Sequence, residues 1–443
     1  MEKNMTTGNA LKLLLTFMIP LIIGNVFQQM YSISDIIIVG RTIGINALAA
    51  VGAAAPVFMM LVMVTMGLTN GFTVLTGQFF GAGDLQKMRR SVAISMLLSV
   101  TAVLFMAVAM HLFVDPLLRL MNLPTVLYQD CRSYIVIVAD GLWAMMAYNF
   151  FAAVLRALGD SKTPVYFLIL ATVLNVGLAL LFILKFAMGV PGSAYALVIA
   201  QGIAAILSAV YMWQRFPILR LRKEDWHWEK SFAIEHLKIG VPMAAQFSVI
   251  GMGILFIQSV TNKFGPDTIA GFTAAMRVEQ LALQPMASFG IAMAAFCAQN
   301  YGAKKFDRIR DAVRKCSFIA FGFAVAAGIF IFFFSERIIG IFIDGENEKV
   351  VSDALNYLHH TVPFYFFLSQ IFIYRSAVQG MGVGMVPLTA AIIELGMRTG
   401  AAEILAVDWG YLGVCYASPI AWVGSSVFLF FAFHYFLRSF AQQ

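Results

Sequence analysis

A succession of apolar runs of roughly 18 residues or more, separated by short polar joints, limits this chain to very few architectures. Each run is long enough to cross a hydrocarbon core of about 30 Å as a helix rising about 1.5 Å per residue. In lipid a backbone must satisfy its own hydrogen bonds, so such runs are helices, and the short alternating segments of a lipid-facing barrel are absent. Of 443 residues 60% are hydrophobic and 12% charged, with a mean hydropathy of +0.83, a balance outside the soluble classes. The expected fold is an all-α integral membrane protein with twelve transmembrane helices near 13–39, 47–75, 91–114, 127–155, 164–186, 192–213, 237–260, 268–297, 316–334, 351–381, 386–407 and 412–437. The basic start, "MEKNMTTGNALKLLLTF", runs into the first span without a small-residue cleavage site and reads as a retained helix.

A formal charge of +7 invites a nucleic-acid reading, but the placement of the charges argues otherwise. With an even number of spans both termini share one side. That side carries 20 of the Lys and Arg residues, in "LQKMRR", "KKFDRIRDAVRK", the central connector and the terminal segments, against 7 on the other. The remaining three, Arg277, Arg375 and Arg398, lie inside spans. This bias orients both termini to the cytoplasm of a plasma membrane. The four cysteines form no CxxC pair, and no HExxH, GxSxG or GxxxxGK[ST] occurs, so metal, hydrolase and nucleotide chemistry are not expected. "GAGD", residues 81–84, resembles an intramembrane-protease motif but falls in a cytoplasmic loop.

The chain repeats itself. "FMIPLIIGNVFQQ" recurs as "KIGVPMAAQFSVI", "GQFFGAGD" as "AQNYGAKK", and "VLRALGDSKTP" as "AVQGMGVGMVP", with Pro20 and Pro242, Gln78 and Gln299, and Pro164 and Pro387 separated by 222, 221 and 223 residues. Six spans per repeat make the two halves parallel. The expected division is an N-lobe over 1–214, a polar cytoplasmic connector over 215–235 and a C-lobe over 236–443, two pseudo-symmetric six-helix bundles suited to rocking around a substrate. Duplication kept for stability alone is the plainer alternative.

Ionisable side chains at membrane depth cost about 2.5 kcal/mol or more, so each needs a reason to be there. Asp35 follows Gln28 and Tyr31 on one helix face, with Ser32 beside them. Such a carboxylate can exchange a proton with water or, among oxygen donors, hold Na+; pairing with Arg41 or with headgroups is the structural alternative. Asn175 is a candidate partner. Asp140, with Tyr148 and Asn149 in the same span, reads as a deeper carboxylate with no evident partner, either a second titratable site or a structural group. In the second half residue 257, equivalent to Asp35, is Ile, and charge appears instead as Glu279 and as Glu394 with Arg398 at i, i+4, a spacing that permits a buried ion pair. Candidate substrate contacts are Tyr31, Tyr148, Gln246, Glu279, Gln284, Glu394 and Arg398. The 40 Phe and 25 Met are mostly packing and lipid-facing surface, and some could line a pliable cavity for apolar cations.

"NVFQQMYSISDIIIVGR", "NALAAVGAAAP", "YNFFAAVLRALGDSKTP", "IEHLKIGVPMAAQFS", "RVEQLALQPMASFGIAMAAFCAQNYGA" and "GYLGVCYASPIAWVG" resemble the bacterial branch of the multidrug and toxic compound extrusion (MATE) transporters over nearly the whole chain. The resemblance implies export of drug-like, often cationic, compounds in exchange for H+ or Na+, with the ion at Asp35 and supporting polar positions at Gln28, Asn149 and Asn175. No cofactor, metal beyond a possible Na+ at Asp35, or nucleic acid is implied; the bilayer and a small-molecule substrate are the expected partners, and a monomer the expected state. Ala179 stands where many relatives carry a second aspartate, and Ile250 and Leu368 where the sodium-coupled branch has acids, so proton coupling is preferred, with Asp140 a possible substitute acid. The alternative is a flippase or exporter of a lipid-linked or anionic metabolite, for which convergence of Arg277, Arg375 and Arg398 would speak.

Overall fold

The computed structural model describes residues 3–121, 123–340 and 347–442; the side chains of residues 30–33, 35 and 36 lie outside the described set. Fourteen α-helices follow one another: α1 Ala10–Thr42, α2 Ile45–Ala82, α3 Leu85–Leu120, α4 Thr125–Asp140, α5 Leu142–Ala157, α6 Lys162–Leu180, α7 Val190–Arg215, α8 Lys230–Thr261, α9 Pro266–Gly302, α10 Phe306–Ile339, α11 Glu348–Thr361, α12 Tyr365–Gly380, α13 Met385–Trp409 and α14 Tyr411–Ala441. Among the described residues there is no strand. Among the described residues nine helices qualify as spans by length and hydropathy, and α4–α5, bent by 47°, makes a tenth when taken as one span. The α11–α12 pair, whose helices are 14 and 16 residues long, and α13, which carries Glu394 and Arg398, supply the remaining two. Twelve spans result, as expected.

Two of them are broken, and the breaks are related by the repeat. The fourth span stops at Asp140 and resumes at Leu142, and the tenth is interrupted by a 3-10 turn over Val362–Phe364, about one repeat length further on. At the first break Gly141 has no room for a side chain, since a Cβ there would collide with Val198 of α7. At the second, Pro363 lacks the N–H that would continue the ladder.

By its internal contacts the chain divides into two compact units. Unit 1 is Met1–Asn4 with Ile19–Ala244, and unit 2 is Met5–Met18 with Ala245–Gln443. The division on the second side thus falls inside α8 rather than in the polar connector, and the first turns of α1 belong with the second half. Both transfers occur within a turn of a proline, Pro20 in α1 and Pro242 in α8. In unit 1, α2 is the hub for α3, α4 and α5, and α7 backs α4, α5 and α6; in unit 2, α9 takes the corresponding place against α10, α11 and α12, while α13 and α14 pair along their length.

Water cannot drive one apolar helix onto another in a bilayer, so close backbone approach and polar contacts hold these bundles. In unit 1, Gly67 and Gly71 of α2 meet Ala244 and Gly240 of α8, with a Cβ at Gly67 only 2.6 Å from the Ala244 Cα. The connector is tied to α3 by Arg89 donating to Asp225 at 3.2 Å and Arg90 to Glu229 at 2.7 Å. Behind it, His236 donates from Nδ1 to the Phe232 carbonyl at 2.8 Å, which leaves Nε2 to accept from the Ser91 hydroxyl at 2.9 Å.

Unit 2 binds the N-terminal segment in the same region of its own repeat. Arg308 donates to the carbonyls of Met5, Thr7 and Gly8 at 3.1, 2.9 and 2.7 Å, Lys305 to Thr6 at 2.8 Å, and the Gln299 side chain accepts from the Met5 amide at 2.7 Å. Gln299 is the repeat counterpart of Gln78, so the duplicated "GQFFGA/AQNYGA" element here anchors chain as well as packing helices. Arg308→Ala is expected to release residues 5–8, with loss of about 1.5–3 kcal/mol from hydrogen bonds to a charged donor. Hydrogen exchange at the Met5–Gly8 amides and limited proteolysis would register the release.

Candidate functional site

Asp35 and Tyr31, the central residues of the sequence reading, have side chains outside the described set, but their helix is described. Contacts on either side set its level in unit 1. Gly24 of α1 faces Val165 and Leu168 of α6, and Ile38 shares an apolar cluster with Ala179. Counting along the two parallel helices puts the Asp35 turn of α1 beside the α6 turn that begins at Asn175. Asn175 is 2% exposed, and among the described residues neither its Nδ2 nor its Oδ1 has a hydrogen-bond partner. Leaving a buried amide unbonded costs about 1–3 kcal/mol for each unmet group, so this position is built for a partner.

The other first-half candidates are placed less centrally. Gln28 is exposed on α1. Asn149 is half-buried and spends its Nδ2 on the Met145 carbonyl at 3.0 Å, leaving its Oδ1 as an acceptor. Tyr148 is buried, and its hydroxyl donates to the Pro164 carbonyl at 2.9 Å, so it ties α5 to the first turn of α6. Asp140, for which the sequence offered no partner, has one here: its side chain is 60% exposed and lies 3.4 Å from His111 Nε2 of α3, in line with the structural alternative.

In unit 2 the charges converge. Glu394 on α13 accepts from Arg398 Nη2 at 2.7 Å through one carboxylate oxygen and from Arg375 Nη2 at 3.0 Å through the other. All three side chains are less than a tenth exposed. The i, i+4 pair read from the sequence is therefore two-thirds of a triad, the third member arriving from α12. The Nε atoms of both arginines have no partner among the described residues. Gly253 of α8 lies directly against the triad, since a Cβ there would be 3.0 Å from Arg398 Nη1. Arg277, the third in-span arginine, is exposed on α9.

Glu279 on α9 stands apart from this compensation. It is 4% exposed and accepts from the Tyr357 hydroxyl at 3.1 Å, and Tyr357 stacks edge-on against Phe272 at 5.1 Å. No guanidinium or ammonium lies within ion-pair distance of it among the described residues, although Arg398 is near enough to act on it electrostatically. Gln246, 1% exposed, accepts from Gln379 Nε2 at 2.7 Å, and Gln284 is half-buried one and a half turns after Glu279. The partners Tyr357, Gln379 and Arg375 were not assigned from the sequence; only Arg375, as a charge inside a span, carried a signal.

These sites can be set beside known proteins. A MatE family profile matches residues 20–181 and 242–400. The chain is 30% identical over 436 residues to the "Probable multidrug resistance protein YpnP" of Bacillus subtilis (strain 168), covering 97% of this chain and 96% of that protein. In structure it is similar to an outward-facing multidrug resistance MATE family transporter of the MOP superfamily, with a TM-score of 0.91 at 23% identity over 99% of this chain and 98% of the other. It is equally similar to a MOP superfamily transporter from Pyrococcus furiosus described as having a binding pocket of reverse polarity, with a TM-score of 0.91 at 24% identity and coverage of 99% and 98%. At such identities the two structures speak for the fold alone.

Proposed function

Because the chain belongs to the MATE family of multidrug transporters, whose members are not enzymes, we propose that it is a secondary antiporter exporting amphiphilic organic cations from the cytoplasm in exchange for protons. The observation that carries this reading is the buried amide of Asn175, without a hydrogen-bond partner among the described residues, on the α6 turn beside that of Asp35. An amide suits an acid that changes protonation: Nδ2–H serves the carboxylate, and Oδ1 accepts from the carboxylic acid. Loading and unloading a proton there would change which hydrogen bonds link α1 and α6, while Gln28 and Asn149 supply further polar atoms toward the same helices. Cargo falls to unit 2, where Glu279 has a phenol for a partner and no bonded cation. A desolvated carboxylate in that condition gains from a positive charge. In this reading the protein resides in the plasma membrane as a monomer with both termini cytoplasmic, as the distribution of Lys and Arg favours.

Dye efflux in inverted vesicles under an imposed H+ or Na+ gradient tests the proposal. Asp35→Asn should lower proton-driven export by an order of magnitude or more, and Asn175→Ala should weaken it while leaving dye binding intact. A folded Asp35→Asn protein that exports at the wild-type rate under both gradients would remove the coupling role. Response to Na+ alone would replace the proton by sodium.

A second reading, export of an anionic or lipid-linked metabolite, is favoured by one observation: the triad has two guanidiniums for one carboxylate, with neither Nε bonded among the described residues. A thermal-shift panel of organic cations against organic anions separates the two, since stabilisation by anions that is lost in Arg398→Gln supports the second.

A further inference from the structure

We propose that the outer face of unit 2 holds an anionic phospholipid, its headgroup on Arg314 and Arg438 and its acyl chains in the aromatic groove bordered by α10, α12 and α14. The groove has a volume of about 540 Å3 and runs from Arg310 and Arg314 past Phe318 and Phe321 to Phe366 and Phe430, a size ordinary for a small-ligand cleft. Sharing Phe321 and Phe366, it continues into a second hollow of about 300 Å3 that reaches Phe333 and is lined by apolar residues only. Sharing Phe430 and His434, it opens the other way onto a third of about 740 Å3 that ends at Arg438, Ser439 and Gln442. From Arg310 to Phe333 the path along α10 is about 35 Å at 1.5 Å per residue. Its arginines lie at one end, Ser317, Gln370, Tyr374 and His434 stand among the aromatic rings of the middle, and the far hollow is apolar, which is the form of an amphiphile with an acidic head.

The charge balance selects the head. None of the three hollows is lined by an acidic residue. Arg310 is partnered by Asp307 at 3.2 Å and Lys315 by Asp311 at 2.7 Å. Arg314 and Arg438 have no carboxylate partner among the described residues, and both are exposed. Basic clefts between membrane helices on the side with the basic excess are where acidic headgroups collect. Assignment to the cytoplasmic leaflet rests on the orientation proposed above; lipid binding itself does not, nor does it depend on the coupling ion or cargo.

Purified protein in phosphatidylcholine liposomes, doped with phosphatidylglycerol or phosphatidylcholine bearing a diazirine in the acyl chain, tests the inference by mapping lipid adducts to peptides. Adducts at Phe318, Phe321 and Phe366 should favour phosphatidylglycerol, each arginine being worth about fivefold near an acidic headgroup. Arg314→Gln/Arg438→Gln should erase the preference and Arg314→Lys/Arg438→Lys should keep it. Phe105, 75% exposed on α3, should be labelled equally by both lipids throughout. Equal labelling of the groove by the two lipids in the wild type, survival of the preference in the glutamine variant, or the same preference at Phe105 would each overturn the site.

Discussion

Glu394→Gln is expected to destabilise unit 2 by about 3–5 kcal/mol, because two buried guanidiniums then face each other without the carboxylate that joins them. Glutamine has nearly the shape of glutamate, so packing around α13 is preserved and the loss reports charge. Its carbonyl oxygen can serve Arg398 or Arg375, now 2.7 and 3.0 Å from the two carboxylate oxygens, but its NH2 group confronts the other as donor against donor. Thermal unfolding of the purified protein measures the effect. The triple replacement Glu394→Leu/Arg375→Leu/Arg398→Met removes all three charges together, and apolar substitutes for a buried ionic triad are often neutral or stabilising by about 1–4 kcal/mol. That protein should recover stability. If it also exports at the wild-type rate, the triad is architecture; if it is stable and inactive, the arginines or Glu394 meet the cargo. The single variant alone would confuse these outcomes, since an unfolded transporter also fails to transport.

The contrast between Glu394–Arg398 and Arg375 marks where sequence reading reached its limit. Spacing along one helix is visible as i, i+4, so the first pair was legible; Arg375 comes from a different helix, and no periodicity relates it to α13. The twelve spans and the repeat were legible for a similar reason, being properties of composition along the chain. The breaks at Gly141 and Val362–Phe364 were not, because apolar residues resume beyond both and hydropathy averaged along a span is blind to backbone direction. The partner of Asp140 was not legible either, because His111 comes from α3 and no spacing relates the two. Asn175 stood out as a polar residue in an apolar run, yet only its surroundings reveal that its amide lacks a described partner. The transfer of the first turns of α1 and α8 between units also left no mark in composition beyond Pro20 and Pro242.

Gly71→Ala should destabilise unit 1, although alanine is the better helix former by about 0.8–1 kcal/mol. The Cβ it adds would overlap the Cα of Gly240, and the nearest atoms are all backbone, so no rotamer change can relieve the clash. The helices α2 and α8 must separate, and overpacking of this kind costs about 1–3 kcal/mol. Gly67, one turn away, meets Ala244 Cα at 2.6 Å, so separation at Gly71 also loosens that contact, the two crossings sharing one small-residue stripe. The partner cannot yield by mutation either, since Gly240 already lacks a side chain and lies under the Phe72 ring. Gly52 supplies the control within the same helix: nothing lies within 4 Å of a Cβ there, so Gly52→Ala should leave the melting temperature unchanged or raise it. Opposite shifts for the two substitutions verify the close crossing, and shifts of the same sign exclude it. Hydrogen exchange adds the location. In Gly71→Ala the amides of α8 up to Ala244 should lose protection while those around Glu394 in unit 2 keep theirs, because α8 is held in unit 1 only as far as that residue.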